Sequence, residues 1–326
     1  MTAAYPDRIF KIRPEDFPHL ALTVFNFQYQ NNELYRSFTD ALGIDPKKIK
    51  TLAEIPFLPI GFYKTHTIQT TSFTPEIIFE SSGTTQTTKS LHYVKESLLY
   101  RRSFLEGFER FYGAVKDWCI IGLLPDYLER SGSSLVYMVE GLIKMSKDEK
   151  SGFYLHDQQR LFETLQQLEK QQQKTLLIGL SFALLDFSEK YQMKLKHTCV
   201  METGGMKGKR KEIVRQELQH LLKKGFGVRS IHSEYGMTEL LSQAYSHANG
   251  IFESPPWMRV LVRDEDDPLD VREDGAGILN IIDLANIYSC SFIATDDAGK
   301  VNPDGKFEVL GRVDNSDLRG CNLLVT

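Results

Sequence analysis

The sequence predicts a layered α/β protein that ends in a smaller, strand-rich part. Three observations carry this. Short apolar runs alternate with helical stretches up to about residue 245. Beyond that point the helical period fades and short strands separated by turn signals take over. The 326 residues are 41% hydrophobic and 25% charged, an ordinary globular composition that argues against wholesale disorder. A chain of this length allows about two domains, drawn here as 1–245 and 246–326.

Taken in order, Ile77–Phe79, Trp118–Leu124, Thr175–Gly179, Thr198–Met201 and Val228–Ile231 read as strands. Amphipathic helices lie between them. Phe104, Phe108, Phe111 and Tyr112 share one helical face, as do Val214, Leu218, Leu221 and Leu222, and Leu161, Leu165 and Leu168 mark a third. The later strands are Met258–Val262, Gly277–Asp283, Ser291–Ala294 and Lys306–Leu310, with Glu273-Asp-Gly and Pro303-Asp-Gly as turns. The segment 264–274 holds seven acidic residues in eleven and reads as a solvated loop rather than a metal site. Gln171 to Gln173 read as an exposed helix end.

Charge and cysteine usage narrow the function. Lys+Arg 39 against Asp+Glu 43 gives a net charge of -4, which excludes a generally basic nucleic-acid binder. The longest apolar stretch, from Thr175 to Phe187, is about 13 residues, too short for a membrane span. The N-terminus has no apolar core of a signal peptide. Cys119, Cys199, Cys290 and Cys321 show no Cys-x-x-Cys and no paired spacing, so a disulfide scaffold and a zinc ribbon are not expected. The expected setting is the reducing cytoplasm.

Three motifs carry chemistry. Ser81-Ser-Gly-Thr-Thr-Gln-Thr-Thr-Lys89 follows a strand; its hydroxyls, backbone N–H groups and terminal lysine suit phosphate, although it is not the Walker loop, which ends in Gly-Lys. Tyr235-Gly-Met-Thr-Glu239 sets a hydroxyl beside a carboxylate, a pair suited to phosphate and to Mg²⁺, and also reads as a turn with a helix cap. Thr295-Asp-Asp297 with Gly311-Arg-Val-Asp314 offers a carboxylate for a ribose diol and a guanidinium for phosphate oxygens.

In this order the three motifs resemble those of the adenylate-forming superfamily. The run Ile55-Pro-Phe-Leu-Pro-Ile-Gly-Phe-Tyr-Lys-Thr-His66 and the ending from Gly311 to Cys321 resemble the acyl-protein synthetase (long-chain-fatty-acid–protein ligase) family, over roughly residues 50 to 321. The resemblance implies ATP-dependent conversion of a fatty acid to acyl-AMP, then transfer to a protein cysteine. It implies ATP and Mg²⁺ as cofactors, and as partner an acceptor such as an acyl-protein or acyl-CoA reductase, with homo- or hetero-oligomers open. It makes 1–245 the nucleotide- and acyl-binding region, and 246–326 a subdomain ending in a cysteine-bearing tail.

Carried over residue by residue, Ser81, Ser82, Gly83, Thr84, Thr85 and Lys89 would form the phosphate loop, and Gly204 and Gly205 would line the adenine pocket. Tyr235 and Gly236 would lie against adenine, Thr238 at phosphate and Glu239 on Mg²⁺, with Asp297 at the ribose and Arg312 at the ribose or α-phosphate. Catalytic roles fall to Lys89, Glu239 and Cys321. Cys321 lies two residues after Arg319 and nine after Arg312, a cationic setting that favours thiolate.

The chain departs from the superfamily in three ways. Gln86 and Thr88 stand where glycine and proline are usual, and the mobile C-terminal lid with its catalytic lysine is expected to be absent. His247 without a nearby cysteine also gives no zinc site after the second motif. Three rival readings remain. One is an acyl- or aryl-CoA ligase-like enzyme, and another a non-catalytic nucleotide- or acyl-binding subunit. The third is a serine hydrolase built on Gly179-Leu-Ser-Phe-Ala183 with His232 or His247, in which Ser181 is more simply a helix cap.

Overall fold

The computed structural model describes residues 5–82, 88–125, 132–204 and 214–313. The chain begins with α1 (Tyr5–Phe10), α2 (Phe17–Asn31) and α3 (Glu33–Ala41), which the sequence reading did not separate from the α/β layers. α2 buries Phe17, Leu20, Ala21, Val24, Phe25 and Gln28, a stripe at helical spacing. Gln28 is the polar member of that stripe. Its amide donates to the carbonyl of Ile287 (3.0 Å) and its oxygen accepts from the N–H of Ser291 (2.9 Å), which pins a distant turn to the helix.

After β1 (Leu58–Pro59) and α4 (Phe62–Thr65), β2 (Ile77–Glu80) and β3 (Leu91–Val94) form an antiparallel hairpin. Next come α5 (Ser97–Tyr112), β4 (Cys119–Leu123), α6 (Ser134–Ser146), β5 (Gly152–Phe153), α7 (Gln158–Lys170), β6 (Thr175–Leu180), α8 (Ser181–Lys190), β7 (Thr198–Thr203), α9 (Arg215–Phe226), β8 (His232–Tyr235) and β9 (Ala244–Ser246). Their strands make a sheet ordered β5-β4-β6-β7-β8-β9, parallel except for β9. Both faces are covered, as a parallel sheet requires. Ile120, Leu176 and Met201 pack with the aromatic face of α5 and with α6. Ile121, Leu177 and Val200 alternate with them and pack with α7, α8 and α9.

Two expectations shift. The strand expected at Val228–Ile231 lies four residues later, at His232–Tyr235. α9 runs on to Phe226 and ends on Gly227 in the left-handed region (φ 62°), so the segment 228–231 that follows is the connection. The real strand is polar at His232, Ser233 and Glu234, which hides it from a hydropathy reading. Val214 is not on the buried face of α9; it precedes the first turn and is 71% exposed.

β10 (Ile251–Phe252), β11 (Met258–Arg263), β12 (Val271–Arg272), β13 (Gly275–Asp283), β14 (Phe292–Val301) and β15 (Phe307–Arg312) build a second sheet, ordered β10-β15-β14-β13-β11-β12. β1 joins it from far away in sequence, parallel to β14, with Leu58 opposite Ile293. A register shift between Ala298 and Gly299 leaves Asp297 directly opposite Arg312. The acidic run after β11 is a surface loop in which Asp264 accepts the N–H groups of Asp266 and Asp267. Among the described residues, no helix is long and apolar enough to cross a membrane.

Candidate active site

The first motif lies on the β2–β3 hairpin. At its base the N–H of Ser81 donates to the carbonyl of Ser90 (3.1 Å), and the N–H of Ser90 returns to the hydroxyl of Ser81 (2.9 Å). Lys89 pairs with Glu80 at 2.9 Å and is 50% exposed, a position from which it can exchange this weak surface partner for a ligand. Gly83, Thr84 and Thr85 lie outside the described residues, as do Gly205 and Cys321.

The second and third motifs meet between the two sheets. Tyr235 ends β8, and its hydroxyl donates to Asp297 Oδ2 at 2.7 Å. Arg312 Nε stands 3.4 Å from Asp297 Oδ1. Phe252 and Phe307 pack against the ring of Tyr235. Burial, then the charge and hydrogen bond of Asp297, hold the Tyr235 hydroxyl well above its ordinary pKa, so it is a donor throughout the physiological range. Tyr235 and Asp297, 62 residues apart, and Arg312, 15 further on, thus place an aromatic ring, a carboxylate and a guanidinium at one point.

The turn after Tyr235 is held from several sides. The carbonyl of Thr238 accepts from His92 Nδ1 at 2.7 Å, and that of Glu239 from Asn286 Nδ2 at 2.7 Å. Asp283 accepts the N–H groups of Leu241 and Ser242 (2.9 Å each), the Ser242 hydroxyl (2.6 Å) and the N–H of Ala285 (3.1 Å). Burial raises the Asp283 carboxyl to about 6 in spite of these donors. Glu239 itself is 5% exposed. Among the described residues no three metal-ligating side chains cluster. A site that supplies Mg²⁺ with one carboxylate and leaves the remaining positions to phosphate and water does not need such a cluster.

A second acidic pair stands at the ends of β7 and β8. Glu202 accepts from the Ser181 hydroxyl (3.0 Å), with Arg215 at 4.0 Å. Glu234 is buried and accepts from the Thr203 hydroxyl; a Cβ at Gly236 would come within 2.5 Å of Glu234 Oε1, so a side chain there would have to displace that carboxylate. Burial pushes Glu234 up to about 7, Thr203 opposing and Glu202 adding. Gly204 follows β7 in the left-handed region (φ 65°), and its carbonyl accepts from Ser181 at 2.7 Å.

These contacts correct both readings of Ser181. β6 runs straight into α8, so Ser181 is the first helical residue and Leu180 the cap, with no side-chain cap bond. The hydroxyl is spent on Glu202 and Gly204, whereas His232 shares a hydrogen bond with the Tyr112 hydroxyl (3.2 Å) and packs edge-on against His247. That is no nucleophile–base pair. The sequence reading missed His92, Asp283, Asn286 and Glu234. Asp283 had left a signal, a lone acid after the apolar run Ile281-Ile282.

The sequence profile of the LuxE family, described as acyl-protein synthetase, matches residues 15–326. The chain belongs to the LuxE acyl-protein synthetase family. This family member is 25% identical over 328 residues to the long-chain-fatty-acid–luciferin-component ligase of Vibrio harveyi, covering 92% of this chain and 84% of that one. In fold it is similar to 2-hydroxyisobutyryl-CoA ligase in the postadenylation state, with a TM-score of 0.63 at 12% identity, over 95% of this chain and 70% of that one. It is also similar to ATP-bound MatB from Rhodopseudomonas palustris, with a TM-score of 0.55 at 13% identity, over 85% of this chain. The chain spans about half, 52%, of the MatB chain. The acyl-protein synthetase family member therefore has the mixed α/β fold of the adenylate-forming ligases.

Proposed function

We propose that this protein activates a long-chain fatty acid with ATP and passes the acyl group to a protein cysteine. The observation that carries the reading is the junction of Tyr235, Asp297 and Arg312 between the two sheets, in a chain whose family is that of acyl-protein synthetases. In this reading the nucleotide lies between the region 1–245 and the strand-rich part 246–326. Adenine packs on Tyr235 and Gly236, beside Gly204 and Gly205. Asp297 accepts from the ribose hydroxyls, and Arg312 neutralises oxygens on the ribose or α-phosphate side. Ser81, Ser82, Gly83, Thr84, Thr85, Thr238 and Lys89 serve the phosphates. Glu239 would hold Mg²⁺, whose part is to neutralise phosphate charge.

The carboxylate oxygen of the fatty acid attacks the α-phosphorus, and the bond to the β-phosphate oxygen breaks, releasing pyrophosphate. The chain contributes positioning and charge neutralisation to that step. A cysteine thiolate then attacks the acyl carbon and AMP leaves. Cys321 is the cysteine proposed. Burial pushes the thiols of Cys119, Cys199 and Cys290 up to about 12, which leaves almost no thiolate at any of them near pH 7. A reductase-type partner would accept the acyl group from it.

Fatty-acid-dependent exchange of labelled pyrophosphate into ATP tests the activation step. Exchange that appears only with added fatty acid supports the reading, and none with any chain length refutes it. Thioester found on added coenzyme A, with none on protein, would move a CoA ligase ahead.

A further inference from the structure

The two motifs assigned to phosphate and Mg²⁺ are about 150 residues apart, yet one buried side chain joins them. His92 sits on β3, opposite Phe79 of β2 and two residues beyond the Ser81–Ser90 pairing that closes the hairpin base. It is 1% exposed. Its Nδ1 lies 2.7 Å from the carbonyl of Thr238. A carbonyl only accepts, so Nδ1 carries the proton, and in the neutral ring Nε2 carries the lone pair. Nε2 is buried and has no hydrogen-bond partner among the described residues. The bond from Nδ1 to Thr238 is therefore the hydrogen bond that this ring makes among the described residues.

The surroundings fix this ring. Tyr63 packs edge-on against it, centroids 5.7 Å apart, and the Tyr63 hydroxyl shares a hydrogen bond with Ser289 Oγ at 3.1 Å. The N–H of Ser289 donates to the carbonyl of Asn286, whose side chain holds the carbonyl of Glu239. The contacts run from the hairpin through His92 to Thr238, and from His92 through Tyr63, Ser289 and Asn286 to Glu239. Tyr63 belongs to the Ile55-to-His66 run that marks the family resemblance in the sequence.

We propose that His92 is a positioning residue that couples the phosphate hairpin to the Thr238–Glu239 turn, so that both motifs present their groups in one fixed relation. In this role His92 acts through Thr238 and is not itself a ligand to substrate or metal. It sets the direction of the Thr238 carbonyl, and with it the path of the backbone from which the Thr238 hydroxyl and the Glu239 carboxylate project. The consequence for turnover rests on the function proposed above; the mechanical coupling does not.

The test uses the whole protein with two substitutions. His92→Leu removes the N–H, and His92→Asn supplies one near the position of Nδ1. Amide hydrogen exchange across residues 236–242, without ligand, should be at least about tenfold faster in His92→Leu and close to wild type in His92→Asn. Fatty-acid-dependent pyrophosphate exchange should fall about 10- to 100-fold in kcat for His92→Leu, the range seen when an outer-shell partner is lost, and recover in His92→Asn. Should His92→Leu not fold, His92→Met is the second donor-less variant. Unchanged protection of 236–242 in the donor-less variant, or equal damage in it and His92→Asn, would overturn the coupling. Absence of pyrophosphate exchange in the wild type would refute the proposed function, while amide exchange would still decide the role of His92.

Discussion

Replacing Glu234 by Gln should make the protein more stable, and increasingly so as pH rises. Glu234 is buried, accepts from Thr203 and stands beside Glu202, and its carboxyl is raised from 4.5 to about 7. Between those values the folded state keeps a proton that the unfolded state has lost. Stability contributed by this group is therefore complete below pH 4.5 and is lost as pH rises toward 7. At about 1.4 kcal/mol for each pH decade, the rise corresponds to a cost of about 3 kcal/mol carried at pH 8 and above. Gln keeps the acceptor oxygen for Thr203 and cannot ionise. Urea unfolding of both proteins from pH 5 to 9 measures the difference. The two should agree within about 1 kcal/mol at pH 5 and separate by about 3 kcal/mol at pH 9. Parallel curves across the range would show that Glu234 ionises in the folded state as freely as in the unfolded one, and would refute the reasoning.

Asp297→Asn keeps the shape but loses the charge that Tyr235 and Arg312 face. The KM for ATP should rise about 10- to 100-fold in steady-state kinetics, with the folded structure intact by circular dichroism. Glu239→Gln should lower fatty-acid-dependent pyrophosphate exchange by about a hundredfold or more; wild-type exchange in the purified variant would make Glu239 a turn residue only. Asp283→Ala should destabilise by about 3 kcal/mol or more in urea unfolding, because the N–H groups of Leu241, Ser242 and Ala285 lose a buried acceptor together.

The parts of the fold legible in the sequence were those whose physics is local. The strands at Cys119–Leu123 and Thr175–Leu180 are continuous apolar runs because both faces are covered, and α7 shows its face through Leu161, Leu165 and Leu168. β8 was misplaced because His232, Ser233 and Glu234 are polar where a sheet strand is ordinarily apolar. β1 was invisible because two residues gain their strand character only from β14, more than 230 positions away. The motifs named Tyr235, Glu239, Asp297 and Arg312 through residue type and order. Nothing local could name His92 or Asn286, whose roles exist only through carbonyls brought to them by the fold.

The most direct test of the central claim is the intact mass of the protein after incubation with ATP, Mg²⁺ and a panel of fatty acids. The account predicts a mass increase equal to the fatty acid less one water, reversed by neutral hydroxylamine as a thioester should be. Cys321→Ser should form acyl-AMP and show no such increase. A Cys321→Ser protein that acylates as the wild type does, or a wild type that gains no mass with any fatty acid while exchanging pyrophosphate, would contradict it.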